Sequence, residues 1–197
     1  MADLGALALA LRRDGWAIAT DLVAAPLVAA LGDEARAHRA GGRLQSAATG
    51  RAEGRQFTGL RGDSTLWLDD PACGDAAAAL LDELADVRVG LDRRLLLGLA
   101  EVEAHFAHYP SGAAYVRHRD RFRDDDARVL SLVLYLNDDW PADAGGALRL
   151  HLPSGARDIA PQGGHAVLFL SDEIEHEVLP ATRDRWSIAG WFRRRPR

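Results

Sequence analysis

The sequence contains no lysine, because all 24 of its basic residues are arginine. This absence excludes catalysis through a lysine Schiff base and phosphate binding through a P-loop lysine. Any side-chain cation that binds an anion must therefore be an arginine. Cysteine is nearly absent too, and the single Cys73 excludes both an intrachain disulfide and a metal site built from several cysteines.

Long apolar runs are also missing, so no segment is predicted to cross a membrane. Residues 1–15 include a short apolar run, but the arginines follow it, whereas a signal peptide places its basic residues first. We interpret this segment as an amphipathic helix of a cytoplasmic protein. The net charge of −5 disfavours nucleic acid as a general partner.

The 197 residues can bury a sizeable core, and we predict a single domain, 1–197, made of two parts. The first part, 1–100, is predicted to be helical support with a flap. Its helices are expected at 4–13, 25–40 and 75–97, and its short strands at 15–20 and 60–68. The polar segment 44–70, rich in Gly, Ser, Thr and Arg, contains the flap, which we predict to be mobile.

In the second part, 101–194, apolar and polar residues alternate with a period of two. This pattern predicts about eight short strands, from "VEAHFAHY" to "RWSIAGWF". Turn clusters such as "NDDWPADAGG" and "PQGG" separate them. This pattern predicts an α+β fold in which a double-stranded β-helix, a cupin-like jelly roll, is supported by N-terminal helices. Inward side chains at alternate positions of such a barrel converge on one cavity.

Two polar residues in "YVRHRD", His118 and Asp120, are the first candidates for that cavity. Residues i and i+2 of an extended segment point the same way, so the imidazole and the carboxylate lie side by side. His176 in "EIEHEV" is the best candidate for a third ligand. Two histidines and one carboxylate form the facial triad that suits Fe(II), although zinc in a hydrolase can use the same ligand types.

Arg185 favours the iron interpretation, because an inward arginine in an apolar barrel is unfavourable unless it meets an anion. Ser187 lies on the same face of the final strand, and Tyr135 in "VLYLN" alternates inward among leucines. Both can add hydrogen bonds to a carboxylate that Arg185 holds. A metal with open positions and a distal arginine suit a dicarboxylic keto acid such as 2-oxoglutarate.

Several motifs occur together and in order: "LRGDSTLWL", "YVRH", "HRD", "YLNDDW", "DWPADAGGALRL" and "HEVLPATRDR". With them the sequence resembles the Fe(II)/2-oxoglutarate-dependent prolyl hydroxylases of the hypoxia-sensing type, in particular their bacterial relatives. The resemblance extends over residues 60–192. Ala189 departs from the pattern, since the hypoxia-sensing enzymes carry a threonine there.

The resemblance implies a role for individual residues. His118, Asp120 and His176 would ligate the iron. The co-substrate pocket would be formed by Arg185, Tyr135, Tyr109 and Ser187. Substrate binding would involve Arg61 and Asp63, as part of the flap, and Arg128 and Trp191 at the entrance.

The implied activity is that of a dioxygenase that couples oxidative decarboxylation of 2-oxoglutarate to C–H hydroxylation. It would use Fe(II) and O2, with ascorbate as a candidate accessory. The implied substrate is a proline in a protein or peptide, and elongation factor Tu is the leading candidate. Two alternatives stay open: a 2-oxoglutarate oxygenase acting on a free amino acid or small metabolite, and a metal-binding cupin that is not an oxygenase.

Two further histidines, His105 and His108, precede Tyr109 on one predicted strand. Their odd spacing places them on opposite faces. We expect ordinary packing or surface roles for them, although one of the two could lie near the site.

Overall fold

The computed structural model of the chain describes residues 2–47, 61–120 and 127–195. Within them, helices and strands follow one another in the order α1 (Leu4–Asp14), β1 (Trp16–Ala19), α2 (Ala25–Ala40), β2 (Gln45–Ser46), β3 (Ser64–Trp67), α3 (Asp75–Leu95), β4 (Leu99–Tyr109), β5 (Tyr115–His118), β6 (Arg128–Tyr135), β7 (Leu148–Leu152), β8 (Gly155–Ile159), β9 (Ala166–Leu170), β10 (Glu175–Val178) and β11 (Arg185–Arg194). Most of the predicted flap and the first residue of the strand predicted at 60–68 lie outside the described residues.

The helices form where capping and proline signals predict them. Asp3 precedes α1, and its side chain accepts hydrogen bonds from two amides of the first turn. Gly15 ends this helix with a φ of 76°, a conformation that glycine adopts without strain. The start of α3 is capped from another helix, because the Glu34 carboxylate of α2 accepts hydrogen bonds from the amides of Gly74 and Ala77.

The strands form two antiparallel sheets. The major sheet has seven strands in the order β1-β9-β6-β11-β4-β3-β2, and the minor sheet has four in the order β5-β10-β7-β8. All eight strands predicted after residue 100 are present as β4 to β11. The predicted double-stranded β-helix with helical support is confirmed. The first hundred residues contribute more than support, since β1, β2 and β3 extend the major sheet at both edges.

Alternation along the strands of the major sheet divides the core in two. On β4, Phe106 faces the helices and packs in a cluster with Leu31, Leu80 and Leu84. Its neighbour Ala107 faces the other way, toward a second cluster shared with the minor sheet. The cavity opens on this second side of the sheet. No helix within the described ranges is long and apolar enough to cross a membrane.

Candidate active site

Two histidines and one aspartate converge between the sheets. His118, at the end of β5, pairs in register with His176 of β10, and Asp120 follows two residues beyond β5. Nε2 of His118 is 3.6 Å from Oδ1 of Asp120, and Nε2 of His176 is 3.6 Å from Oδ2 of the same carboxylate. The three ligand atoms lie within 4.8 Å of one another. This arrangement can hold a divalent metal ion and leave coordination positions open.

Backbone carbonyls orient both imidazoles. Nδ1 of His118 donates to the Val116 carbonyl at 2.8 Å, and Nδ1 of His176 donates to the Ile174 carbonyl at 3.4 Å. Because Nδ1 carries the donated proton, Nε2 of a neutral ring keeps a free lone pair, and in both histidines this atom faces Asp120. Burial lowers the pKa of His176 to about 4, so this ring is neutral near pH 7.

A serine pair holds the aspartate. The Ser131 hydroxyl donates to Oδ2 of Asp120 at 2.6 Å and lies 2.9 Å from the Ser171 hydroxyl. Burial acts to raise the pKa of Asp120, but the positive charge that His176 and His118 would carry if protonated, together with the hydrogen bond from Ser131, holds it well below its usual range. The Asp120 carboxylate gives the donor set one negative charge, which suits a dication.

A β-bulge changes which residues of β5 share a face. His118 pairs with His176 and Tyr115 with Val178, so a step of three residues on β5 faces a step of two on β10. The extra residue brings Tyr115 onto the face of His118. Their rings stack with centroids 3.7 Å apart and planes at 18°. Tyr115 therefore supports a candidate metal ligand, a role that simple alternation does not predict.

Arg185 lies at the deep end of the same cavity and is 1% exposed. Its Nε donates to the Gly146 carbonyl at 2.9 Å and its Nη1 to the Ser187 hydroxyl at 3.2 Å. Its guanidinium carbon lies 5.1 Å from the ring centroid of Tyr135 and 5.3 Å from that of Tyr109. The four residues predicted to form the co-substrate pocket are thus neighbours.

Two polar atoms in this pocket are buried and have no hydrogen-bond partner within the described ranges: Nη2 of Arg185 and the hydroxyl of Tyr135. Burial raises the pKa of Tyr135 to about 12, so its hydroxyl keeps its proton at neutral pH. Both atoms are therefore donors that lack an acceptor. Buried donors are almost always satisfied, so the pair indicates that a ligand supplies the acceptor.

The four residues predicted to bind substrate all line the cavity, whose volume is about 410 Å³: Arg61 and Asp63 of the flap, and Arg128 and Trp191 of the entrance. Arg61 and Asp63 pair with each other, with Nε 2.6 Å from Oδ1. The Arg128 guanidinium lies 3.6 Å above the Trp191 ring, and its Nε donates to Glu103 at 2.9 Å. All of these residues contribute to the cavity wall.

Comparison with known proteins places this site in a family. The model of the 2OG-Fe(II) oxygenase superfamily matches residues 104–193. Egl nine homolog 1 of Homo sapiens is 28% identical over 92% of this chain and 44% of its own length. Prolyl hydroxylase EGLN3 of Homo sapiens is 32% identical over 68% of this chain and 59% of its own length. The chain spans about half the length of the Egl nine homolog 1 proteins that it matches.

A solved structure matches over nearly the whole of both chains. The crystal structure of a Pseudomonas putida prolyl-4-hydroxylase is 43% identical, covers 98% of this chain and 99% of its own, and superposes with a TM-score of 0.88. The chain belongs to the Fe(II)/2-oxoglutarate-dependent prolyl hydroxylase family. A Trichoplax adhaerens prolyl hydroxylase, 24% identical with a TM-score of 0.86, shares the fold. Membership in this family favours an oxygenase over a cupin without oxygenase activity.

The residues present fit both groups that the family uses. The donor set of His118, Asp120 and His176 matches the facial triad that binds Fe(II). The unpartnered donors on Arg185 and Tyr135 match the acceptor oxygens of a carboxylate. Fe(II), 2-oxoglutarate and O2 are therefore the cofactor and co-substrates that this family and this site require.

A second group of metal-binding residue types, formed by Glu34, His38 and Cys73, lies outside the cavity. Its carboxylate already accepts the amide hydrogen bonds at the start of α3, and Nε2 of His38 lies 3.4 Å from it. Burial raises the pKa of the Cys73 thiol to about 11, so the thiolate, the form that binds metals, is disfavoured. We interpret this group as structural.

Sequence reasoning missed two residues near the site, and it named His105 only as one of two histidines of which one could lie there. Ser131 and Tyr115 contact candidate metal ligands, and His105 lines the cavity. The alternation of β6 could have identified Ser131, because it shares a face with the cavity residue Val133. His108 has the packing role that we expected, since its ring stacks on Trp186 at 4.1 Å.

Proposed function

We propose that the protein is a prolyl hydroxylase that uses Fe(II) and 2-oxoglutarate to hydroxylate a proline in a protein or peptide. The observation that carries the proposal is the buried Nη2 of Arg185, which has no partner among the described residues and belongs to a side chain that lines the same cavity as the facial triad. A second such donor, the Tyr135 hydroxyl, belongs to a ring whose centroid lies 5.1 Å from the Arg185 guanidinium carbon. The 43% identity to a bacterial prolyl-4-hydroxylase over the full chain supports it.

Each residue would contribute binding or orientation. The imidazoles and the carboxylate of the triad would hold the iron, and Ser131 would keep the Asp120 carboxylate in place. Arg185, Tyr135 and Ser187 would bind the distal carboxylate of 2-oxoglutarate, with Tyr109 in the wall beside it. When bound, iron would supply the chemistry by which O2 oxidises both 2-oxoglutarate and the substrate: 2-oxoglutarate would become succinate and CO2, and one oxygen atom would enter succinate and the other the substrate C–H bond.

The substrate would enter past Arg61, Asp63, Arg128 and Trp191. Relatives support a polypeptide substrate, since the Trichoplax adhaerens enzyme is described in complex with a hypoxia inducible factor peptide. Within that class, elongation factor Tu is our candidate, on the basis of the resemblance to bacterial enzymes. A cytosolic location stays a prediction from the sequence, as do the single domain, 1–197, and the role of the flap.

The cofactor half of the proposal is tested by adding Fe(II) and 2-oxoglutarate to metal-free protein without oxygen. We expect a visible charge-transfer band that neither component produces alone. His176→Ala should abolish the band, and His165→Ala, at a histidine outside the cavity wall, should not. A protein that takes up iron without forming the band would contradict the keto-acid pocket.

The substrate half is tested by incubating the aerobic, iron-loaded enzyme with recombinant elongation factor Tu. We expect mass spectrometry of its peptides to show one added oxygen atom on a proline, and His176→Ala should not add it. If the charge-transfer band forms but elongation factor Tu stays unmodified, this substrate is wrong. Succinate release stimulated by free amino acids would then favour the small-metabolite alternative.

A further inference from the structure

His105 is a buried histidine in the cavity wall to which the proposed chemistry assigns no role. It lies on β4 and is 4% exposed. Two indoles flank its ring. The Trp67 ring meets it edge-on at 5.1 Å between centroids, and the Trp191 ring lies at 5.4 Å. This packing holds the imidazole in one orientation.

The hydrogen bond of the ring identifies its tautomer. Nδ1 of His105 lies 3.0 Å from the Phe106 carbonyl, which can only accept, so Nδ1 carries the proton. Burial lowers the pKa of His105 to about 4, with a further contribution from Arg61. The ring is therefore neutral near pH 7, and Nε2 is an acceptor. Among the described residues nothing donates to this atom.

The strand register separates His105 from the pocket of Arg185. On the β4–β11 ladder Arg185 pairs with Tyr109, whereas His105 pairs with Ala189. Four residues of strand separate the two pairs, which is about 13 Å. A five-carbon diacid bound at Arg185 is too short to span this distance and also occupy the metal site. His105 therefore lies outside the Arg185 pocket, in the part of the cavity wall that also contains Trp191, a residue predicted to bind substrate.

The surroundings of His105 restrict the group that can donate to it. Arg61 and Arg128 act on its ring with positive charge and Asp63 with negative charge, so these neighbours supply no excess negative charge that would attract a cationic donor. Close by, Nε1 of Trp191 is a buried donor without a partner within the described ranges. An acceptor and a donor side by side match the N–H and C=O groups of a polypeptide backbone.

We infer that Nε2 of His105 accepts a hydrogen bond from a backbone amide of the peptide substrate. The inference rests on the proposed function, since it requires a peptide in the cavity. Proline has no amide hydrogen, so the donor must belong to a residue that flanks the target proline. His105 would then be a specificity-determining residue that fixes the register of the peptide relative to the metal.

The inference is tested with synthetic 13-residue peptides that have one central proline. The tightest binder to the oxygen-free complex of enzyme, Fe(II) and 2-oxoglutarate is selected from a library randomised at the other positions. A series of its variants is then made, each N-methylated at one amide. We compare their affinities for wild type, His105→Phe, which keeps an aromatic ring without the acceptor, and His105→Gln, which keeps an acceptor oxygen.

In wild type, methylation of one flanking amide should weaken binding about 2- to 10-fold more than in His105→Phe, the effect of a typical hydrogen bond. His105→Gln should restore part of this difference, and methylation at the other positions should affect all three proteins alike. If every methylation affects wild type and His105→Phe equally, or if no library peptide binds, the inference is overturned.

The charge-transfer band of each protein separates this inference from the proposed function. Wild type and His105→Phe should both form the band, because His105 touches neither the triad nor the Arg185 pocket. A wild type without the band would contradict the proposed function itself. If both proteins form the band but methylation at each amide position lowers peptide affinity equally in wild type and His105→Phe, only the role of His105 is contradicted.

Discussion

Replacing Arg185 with methionine should make the metal-free protein more stable and its co-substrate complex less stable. In the free protein the guanidinium is fully buried, makes two hydrogen bonds to protein groups and leaves Nη2 without a partner in the described chain. Removing a charge of this kind from water costs several kcal/mol, which two hydrogen bonds and two tyrosine rings offset only in part. Methionine fills a similar volume and carries no charge.

The two effects have opposite signs and measurable sizes. Relief of the buried charge should raise the free energy of unfolding of the metal-free protein by about 1 kcal/mol or more, which shifts Tm upward by about 2–4 °C for a chain of this length. In wild type, Mn(II) and 2-oxoglutarate at about 100 times Kd should add about 2.7 kcal/mol. The variant should lose most of this gain, since its affinity for 2-oxoglutarate should fall about 30-fold or more.

Differential scanning fluorimetry of both proteins, with and without Mn(II) and 2-oxoglutarate, measures all four values. A matched control, Arg117→Met, changes an exposed arginine that pairs with Glu175 on the surface and should leave the ligand-induced shift unchanged. The reasoning is refuted if Arg185→Met lowers Tm of the metal-free protein by several degrees and still shows the full ligand-induced shift. The guanidinium would then be a structural group with no part in binding the keto acid.

Two further predictions concern the serine pair and His105. Ser131→Ala removes a charge-assisted hydrogen bond to Asp120, so Fe(II) affinity in anaerobic titrations should fall about 10- to 100-fold. Ser171→Ala, one hydrogen bond further from Asp120, should have a smaller effect. Equal Fe(II) affinities of wild type and Ser131→Ala would contradict the role of the pair. The second prediction concerns His105, which between pH 6.5 and about 4 is protonated in the unfolded chain but stays neutral in the folded protein. As the pH is lowered through this range, the free energy of unfolding of the metal-free protein should therefore fall by up to about 3 kcal/mol. Urea melts of His105→Phe should lack this component, and an unchanged pH dependence would argue against a buried neutral ring.

The strands after residue 100 could be predicted because turn residues separate them and most of them alternate in polarity, although β9 is a continuous apolar run. The same alternation predicts that Arg185 and Ser187 share a face, and they do form a hydrogen bond. Helix α2 could be located because Pro26 and Gly41 mark its two ends. These signals are local, and local signals are what a single sequence carries.

The features that could not be predicted depend on pairing between distant segments. Alternation can place Ser131 on the cavity face, but its contact with Asp120 arises only because β6 lies opposite the end of β5. The stacking of Tyr115 on His118 requires a bulge whose partner strand is β10. The two-residue strand β2 is too short to show any period. His105 and His108 are both buried because β4 is an interior strand covered on each face, which depends on the position of the strand in the sheet.

The order of the strands also constrains how the protein can form during synthesis. Strand β1 pairs with β9, and Trp16 lies opposite Phe169. This edge of the major sheet therefore cannot form until residue 169 has been synthesised. His118 likewise has His176 as its direct partner in the minor sheet, so this pair also forms only after residue 176 has been synthesised. A nascent chain therefore cannot bring the three candidate metal ligands together until β10 has been made. Incomplete chains that end before β10 lack His176, one of the three candidate metal ligands.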